Sequence, residues 1–134
     1  MKKINSICII DDDPITVFGI QKMLSLVTDC KVISKFVNGK DAIDGITAMV
    51  QNKTQLPQVI FLDINMPIMD GWQFLEEFIK LPITQAIRVN IVTSSIDDLD
   101  RKNWELYKSQ THHLITFNNK PIKRDEIEQI TKVV

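Results

Sequence analysis

Five short apolar runs alternate with stretches of helical period along this 134-residue chain. The runs are rich in β-branched residues, and turn-forming residues follow them, as is typical of strands and the loops after them. This alternation predicts repeated strand–helix units, and therefore an α/β fold with a parallel sheet between helices. The predicted strands are Ile4–Ile10, Lys31–Phe36, Val59–Leu62, Ile87–Val92 and Leu114–Phe117.

Five helices are predicted between and after these strands. They start near Pro14, Gly39, Asp70, Asp97 and Lys123. Pro14 suits a first helical turn, because the aspartate before it is able to cap the helix. Apolar residues recur at 3.6-residue spacing on the first helix at Val17, Ile20, Leu24 and Val27, and on the last at Ile127, Ile130 and Val134.

Composition and charge give no support to a membrane protein, a nucleic-acid-binding protein or a protein with a cysteine metal or redox site. The content of 44% hydrophobic and 25% charged residues is ordinary for a globular protein. A net charge of -1 gives no electrostatic reason to expect direct binding to nucleic acid or anionic membranes. No run approaches the ~18 apolar residues of a membrane span, and Cys8 and Cys30 lack metal or redox spacing. We therefore expect a cytoplasmic protein with inert, buried thiols, in which residues 1–134 form one domain without an output domain.

Chemically useful residues follow the predicted strands. The acidic run Asp11–Asp13 follows the first strand, Asp63 the third, Thr93 the fourth, and Lys120 the fifth, just after Phe117. The carboxyl ends of parallel strands converge on one crevice, where such folds bind ligands. Carboxylates, a hydroxyl and a lysine meeting there would be able to hold a divalent metal and a phosphoryl group.

The acidic residues at these strand ends predict a cation site. Carboxylates 4 Å apart repel by about 1 kcal/mol in water and about 4 kcal/mol at an effective dielectric of 20. Such a cluster needs solvent, protons or a cation, and Mg²⁺ takes one or two carboxylates together with waters and phosphate oxygens. Asn65 is placed to add a loop carbonyl. The alternative is that Asp11–Asp13 only caps the first helix.

The lysine and the hydroxyl also have ordinary explanations. Lys120 is a compact cation suited to a phosphate oxygen, and Pro121, which can take the cis form, restricts its direction. A surface lysine before a loop proline is the alternative. Thr93 is a candidate hydroxyl for bonding a phosphoryl oxygen, with Ser94 and Ser95 as competitors or as caps of the next helix.

Four motifs, in this order, carry a resemblance to the response-regulator receiver domain of two-component signalling. They are Ile9–Pro14, Leu62–Gly71 with its Met-Pro and Asp-Gly pairs, Val92–Ser95, and Lys120–Pro121. The likeness covers essentially the whole chain. It implies a flavodoxin-like, doubly wound, five-stranded parallel sheet in the order 2-1-3-4-5, with helices on both faces.

The resemblance also implies roles for the acidic residues. Asp63 would be the phosphoacceptor, and its phosphoryl donor would be a phosphohistidine on a sensor histidine kinase or a histidine phosphotransfer protein. Mg²⁺ would be the cofactor. Asp12 would bind it directly, Asp11 through water, and Asn65 through its backbone carbonyl, with Asp63 completing the protein ligands.

The switch residues follow from the same resemblance. Thr93 would be the switch hydroxyl and Lys120 the phosphate-binding lysine. Phe117 falls at the position of a switch aromatic, where phenylalanine lacks the phenolic hydroxyl; the alternative is a buried strand aromatic. Output would pass through the fourth helix, fifth strand and fifth helix, to a separate output protein or through self-association.

Two local features extend or depart from this pattern. If the fourth helix buries Leu99 and Leu106, Trp104 lies on the outer face and is a candidate interface anchor. The alternative is that Trp104 folds back over a neighbouring loop. The segment from Ser109 to His113 departs from the family's small-residue turn, and we expect His112 and His113 to be solvated.

Two other function classes compete with a phosphorylated signalling module. A phosphatase of the haloacid-dehalogenase type also uses an aspartyl nucleophile, but it needs an acid two positions later, where this chain has Asn65. We therefore expect no enzyme activity beyond the protein's own phosphorylation and dephosphorylation. The other alternative is a phosphorylation-independent interaction module on the same scaffold.

Overall fold

Residues 2–134 are described by a computed structural model as five strands that alternate with five helices. The strands are β1 (Lys2–Ile10), β2 (Thr28–Phe36), β3 (Val59–Leu62), β4 (Arg88–Thr93) and β5 (Leu114–Asn119). The helices are α1 (Pro14–Val27), α2 (Gly39–Asn52), α3 (Gly71–Phe78), α4 (Asp98–Lys108) and α5 (Arg124–Ile130). The strands pair in parallel in the order β2-β1-β3-β4-β5. The predicted fold class and strand order are confirmed.

The sheet is buried between two helical layers. All four residues of β3 are buried, as its uniformly apolar sequence predicts for a central strand. Ile60 and Leu62 pack with α2 and α3 on one face, whereas Val59 and Phe61 pack with α1 and α5 on the other. Within residues 2–134, no helix has the length and apolarity needed to cross a bilayer.

Local capping explains where the first helix begins. The Asp13 carboxylate accepts a hydrogen bond from the Ile15 amide at 3.0 Å, and Pro14 occupies the first turn. The predicted stripe on α1 is confirmed, with Ile20 and Leu24 buried against the sheet. The stripe on α5 is wrong at Val134, which is 56% exposed. The helix ends at Ile130, four residues earlier.

The two cysteines differ in their surroundings. Cys8 is fully buried in β1, and burial raises the pKa of its thiol to about 12. This thiol therefore stays protonated and unreactive at neutral pH. Cys30 lies on the edge strand β2 and is only half-buried, so the expectation that both thiols are buried is wrong for Cys30.

Helix α4 packs with a different face from the one predicted. Leu99 is 61% and Leu106 is 53% exposed, whereas Trp104 and Tyr107 are half-buried against the core. The Trp104 indole N–H donates to the Ile115 carbonyl oxygen at 2.8 Å. An indole buries a large apolar surface and still needs an acceptor for its N–H, and β5 supplies both. Of the two alternatives for Trp104, the outward position is therefore wrong, and the indole folds back onto β5 rather than over a loop.

His113 is buried, contrary to the expectation that the adjacent histidines are both solvated. Its Nδ1 accepts a hydrogen bond from the Ile87 amide at 2.9 Å. Its ring centroid lies 4.9 Å from that of Phe78 and 4.1 Å from that of the exposed His112. Burial, with a smaller effect from His112, lowers the pKa of His113 to about 4. The segment before β5 thus packs on the core through His113, at the amino-terminal ends of β4 and β5.

This buried imidazole predicts a loss of stability in mild acid. A histidine in the unfolded chain has its ordinary pKa of about 6.5, so it takes up a proton before the folded protein does. The contribution of neutral His113 to the free energy of unfolding should be fully present above pH 6.5 and be lost as the pH falls toward 4. Between about pH 7 and about pH 5 we expect His113 to account for a loss of about 2 kcal/mol.

Urea unfolding of the metal-free protein and of His113→Asn at both pH values measures this contribution. The asparagine oxygen is able to accept the Ile87 amide but does not titrate. The difference in unfolding free energy between the two proteins should therefore change with pH in favour of the variant at the lower pH. Equal pH dependence for both proteins would contradict the assignment.

Candidate functional site

The carboxyl ends of four strands bring the predicted site residues together. Asp11 follows β1, Asp63 follows β3, Thr93 ends β4, and Lys120 follows β5. The ladders continue past the strand ends, because the Asp63 amide donates to the Ile10 carbonyl at 2.9 Å and the Lys120 amide to the Thr93 carbonyl at 2.8 Å. The backbone of each of these residues is therefore held by the neighbouring strand.

Lys120 lies between two of the carboxylates. Its Nζ is 3.1 Å from Asp11 Oδ2 and 3.6 Å from Asp63 Oδ1. The Lys120–Pro121 peptide bond is cis. The alternative of an ordinary surface lysine does not fit a side chain that is mostly buried between two acidic groups.

The site is electrostatically unbalanced. Burial, reinforced by repulsion from Asp11, raises the pKa of Asp63 to about 6, although Lys120 and the Ile64 amide favour the ionised form. Burial also raises the pKa of Asp11, against the Asp13 amide and Lys120. One lysine thus does not offset the cost of holding these carboxylates together, and further positive charge would stabilise the site.

The arrangement of oxygens fits a divalent cation. One carboxylate oxygen from each of Asp11, Asp12 and Asp63 lies within 4.8 Å of the others. Such hard oxygen donors suit Mg²⁺, which also keeps several waters. The Asp12 side chain is exposed, which leaves the cluster open to solvent on one side. Asn65 lies in the loop two residues past Asp63 with its side chain exposed.

The capping alternative holds for one member of the acidic run. The Asp13 carboxylate accepts hydrogen bonds from the Thr16 hydroxyl and the Ile15 amide. These bonds lower the pKa of Asp13, and the bond from Thr16 has the larger effect. Asp11 instead accepts from the Asp13 amide at 2.9 Å and contacts Lys120. Capping therefore accounts for Asp13, whereas Asp11 and Asp12 belong to the cluster.

Thr93 is fully buried at the end of β4, whereas Ser94 is exposed. The Thr93 hydroxyl oxygen accepts a hydrogen bond from the Ser95 amide at 3.1 Å. Asp97, and not either serine, has the side chain that caps α4, by accepting from the Leu99 amide at 2.9 Å. Of the three candidate hydroxyl residues, Thr93 is the one that is fully buried, and its backbone carbonyl accepts from the Lys120 amide.

Comparison with known families identifies the family to which this domain belongs. Residues 7–132 match the family described as response regulator receiver domain. The chain belongs to this receiver domain family. The match covers every element of the fold from within β1 to beyond the end of α5.

Curated relatives carry the receiver sequence within longer proteins. A protein-glutamate methylesterase/protein-glutamine glutaminase of Methanococcoides burtonii is 30% identical over 130 residues, covering 93% of this chain and 34% of that protein. A hybrid signal transduction histidine kinase L of Dictyostelium discoideum is 31% identical over 137 residues, covering 98% of this chain and 7% of the kinase. The receiver therefore spans about a third of the first relative and a small part of the second.

Solved structures share the receiver fold. A two-component response regulator from Cytophaga hutchinsonii matches with a TM-score of 0.78 at 24% identity, over 96% of this chain and 95% of that one. The CheX–CheY–BeF3–Mg complex from Borrelia burgdorferi matches with a TM-score of 0.72 at 21% identity, over 94% of this chain and 85% of that one. Both likenesses concern the architecture of the sheet and its helices.

The two aromatic residues singled out in the sequence are neighbours in the receiver. Phe117 is half-buried on β5, and its ring centroid lies 5.8 Å from that of Trp104. Arg101 lies 5.2 Å from the Phe117 centroid, and Lys108 Nζ lies 3.9 Å from the Trp104 centroid. Both cations lie at helical spacing from Trp104, three residues before it and four after it, which accounts for these contacts.

Proposed function

We propose that this receiver accepts a phosphoryl group on Asp63 from a phosphohistidine of a sensor histidine kinase or histidine phosphotransfer protein. The observation that carries the proposal is the buried Asp63 carboxylate, which lies beside Asp11 and 3.6 Å from the Lys120 ammonium. A nucleophile and a cation are thereby held together before any donor arrives, as phosphoryl transfer requires.

The transfer uses Asp63 as the nucleophile. A pKa of about 6 leaves this carboxylate mostly ionised at neutral pH. One of its oxygens attacks the phosphorus in line, and the bond from phosphorus to the donor nitrogen breaks as the new bond forms. Lys120 then faces the phosphoryl oxygens and neutralises part of their charge.

The metal ligands in this proposal are Asp11, Asp12, Asp63 and the Asn65 carbonyl. The clustered oxygens of Asp11, Asp12 and Asp63 support the carboxylate part of this donor set. Mg²⁺ bound there would supply positive charge to the transferring phosphoryl oxygens and would relieve the repulsion among the carboxylates. Asp12, which is exposed, keeps its carboxylate available to the ion.

The acyl phosphate then changes a protein-interaction surface. It adds negative charge and acceptor oxygens at the end of β3. The Thr93 hydroxyl turns toward a phosphoryl oxygen, and Phe117 moves into the space that Thr93 leaves. Trp104 rests against Phe117, so the surface of α4, β5 and α5 changes with it. An output protein or a second copy of the receiver would distinguish the two states by its differential affinity.

Labelling by a small phosphodonor tests the proposal. We expect acetyl phosphate with Mg²⁺ to add one hydroxylamine-labile phosphoryl group, located by mass spectrometry to the peptide that contains Asp63. Removal of the metal with EDTA should slow labelling by about 100-fold or more. Labelling unaffected by EDTA would refute the metal site. No labelling in the presence of Mg²⁺ would favour the phosphorylation-independent interaction module.

A further inference from the structure

Asp100, in the first turn of α4, links two segments that are distant in sequence. The Trp72 indole N–H, from α3, donates to its Oδ1 at 2.9 Å. The Ser95 hydroxyl, from the loop between β4 and α4, donates to its Oδ2. Both carboxylate oxygens are therefore engaged. We refer to Trp72, Asp100 and Ser95 together as the Asp100 bridge.

The Asp100 bridge reaches the site through Ser95. The Ser95 amide donates to the Thr93 hydroxyl oxygen at 3.1 Å, and its own hydroxyl accepts from the Asp97 amide at 3.2 Å. Its carbonyl accepts from the Asn119 side chain at 3.0 Å. Every polar group of Ser95 is thus bonded, so this residue can move with Thr93 only if several of these bonds break.

Asp100 differs in its contacts from Asp98, the other acidic residue in the first turn of α4. Asp98, two residues earlier in the same turn, is exposed and its carboxylate takes part in no hydrogen bond or ion pair among residues 2–134, whereas Asp100 is half-buried. The Trp72 ring also stacks on Tyr107 of α4, with centroids 5.8 Å apart and planes 9° apart. This stacking supports the orientation in which the indole N–H donates to the Asp100 carboxylate. Hydrogen bonds to an ionised acceptor are stronger than neutral ones.

We propose that the Asp100 bridge positions the loop after β4 in the unphosphorylated arrangement, and that phosphorylation of Asp63 has to weaken it. The inference rests on the proposed function. Movement of the Thr93 oxygen toward a phosphoryl group pulls against the Ser95 amide, which the bridge fastens to α3 and α4. Asp100 and Trp72 are positioning residues: they act on Thr93 through Ser95 and set the equilibrium between the two states.

Binding of beryllofluoride with Mg²⁺, which mimics the phosphoryl group on Asp63, measures this equilibrium by calorimetry. Without the bridge, the free energy needed to reach the switched state is smaller. We expect Asp100→Ala to bind beryllofluoride about 5-fold more tightly, the equivalent of two hydrogen bonds of about 0.5 kcal/mol each. Trp72→Phe, which keeps the ring and loses the N–H, should tighten binding about 2-fold. Asp98→Ala, the matched control, should bind like the wild type.

The indole signal of Trp72 supplies a readout that a merely structural role would not move. In ¹H–¹⁵N spectra, Trp72→Phe identifies this signal. We expect this signal to shift when beryllofluoride binds the wild type. In Asp100→Ala, binding of beryllofluoride should leave its position unchanged. The wild-type spectrum tests the bridge even if a variant folds poorly.

The outcomes separate the two proposals. A wild type that does not bind beryllofluoride would refute the proposed function and, with it, the role of the bridge. Wild-type binding without a shift of the Trp72 signal would refute the bridge alone. The same holds if Asp100→Ala, correctly folded, binds with the affinity of Asp98→Ala.

Discussion

Asp63→Asn will lose phosphoryl labelling and, in the absence of metal, gain stability. The amide has nearly the same shape as the carboxylate but is not a nucleophile, so labelling by acetyl phosphate with Mg²⁺ should fall to background. The gain in stability follows from the raised pKa of Asp63, because burial and repulsion from Asp11 make its charged form costly.

The size and pH range of this gain follow from linkage. A folded-state pKa of about 6, above the model value of 3.8, means that the folded protein takes up the proton first. The cost is therefore complete above about pH 6 and disappears as the pH falls toward 4. The Asp63 side chain is only 7% exposed. We therefore expect weak screening and a gain of about 3 kcal/mol at neutral pH in EDTA.

Urea unfolding with and without Mg²⁺ provides the measurement. Mg²⁺ should stabilise the wild type more than Asp63→Asn, so that the advantage of the variant shrinks or reverses. Asp44→Asn is the matched control, because Asp44 is exposed on α2 and pairs with Lys40. It should label normally and keep the wild-type response to Mg²⁺. Stable labelling of Asp63→Asn at the wild-type level would refute the assignment of the phosphoacceptor.

Gly71→Ala will distort the site and destabilise the fold. A Cβ at Gly71 would lie 2.4 Å from the Asp63 carbonyl oxygen and 2.9 Å from the Ile64 Cα. Both are backbone atoms, so neither is able to turn aside. The start of α3 would have to move away, which breaks the hydrogen bond from the Gly71 amide to the Ile64 carbonyl. We expect a loss of about 3 kcal/mol, because overpacking and a lost hydrogen bond add.

The same displacement should reach the chemistry. The backbone of Asp63 is fixed by the close approach of α3, so a shifted loop moves the carboxylate relative to Lys120. We expect labelling by acetyl phosphate to slow by about 10-fold or more, because transfer depends on alignment. Gly19→Ala is the matched control. No atom lies within 4 Å of a Cβ there, and the residue is inside α1, so stability should rise by about 0.5 to 1 kcal/mol. A Gly71→Ala protein as stable and as reactive as the wild type would contradict the packing argument.

The strand-end residues were predictable because their positions depend on local pattern and sheet geometry. The apolar run of β3 identifies a central strand, and a parallel sheet gathers the residues that follow each strand at one edge. Asp11, Asp63, Thr93 and Lys120 are placed in this way without any reference to side-chain packing. The Asp-Gly pair was recognised as a motif, but its cause, the contact of Gly71 with the Asp63 backbone, required the structure.

The face of α4, by contrast, was predicted incorrectly. Leucines at helical spacing indicate a buried face, yet Trp104 and Tyr107 are the residues that pack inward. A helix with few apolar residues gives a weak pattern, and the carbonyl of Ile115 on β5 decides the matter by accepting the indole N–H. His113 was misjudged for a similar reason, since its acceptor role depends on the Ile87 amide of a different segment.

By itself, then, the sequence determined the sheet, its order through the family resemblance, and the residues at its carboxyl edge. These depend on hydrophobic period and strand connection, which are written along the chain. Only the tertiary structure decided which face of α4 is buried, why Gly71 has no side chain, and that Asp100 fastens Ser95 to Trp72. Those features arise where separate segments meet. A donor finds its acceptor, and a Cβ is excluded by steric clash, only when the segment that supplies the acceptor or the clashing atoms is in place.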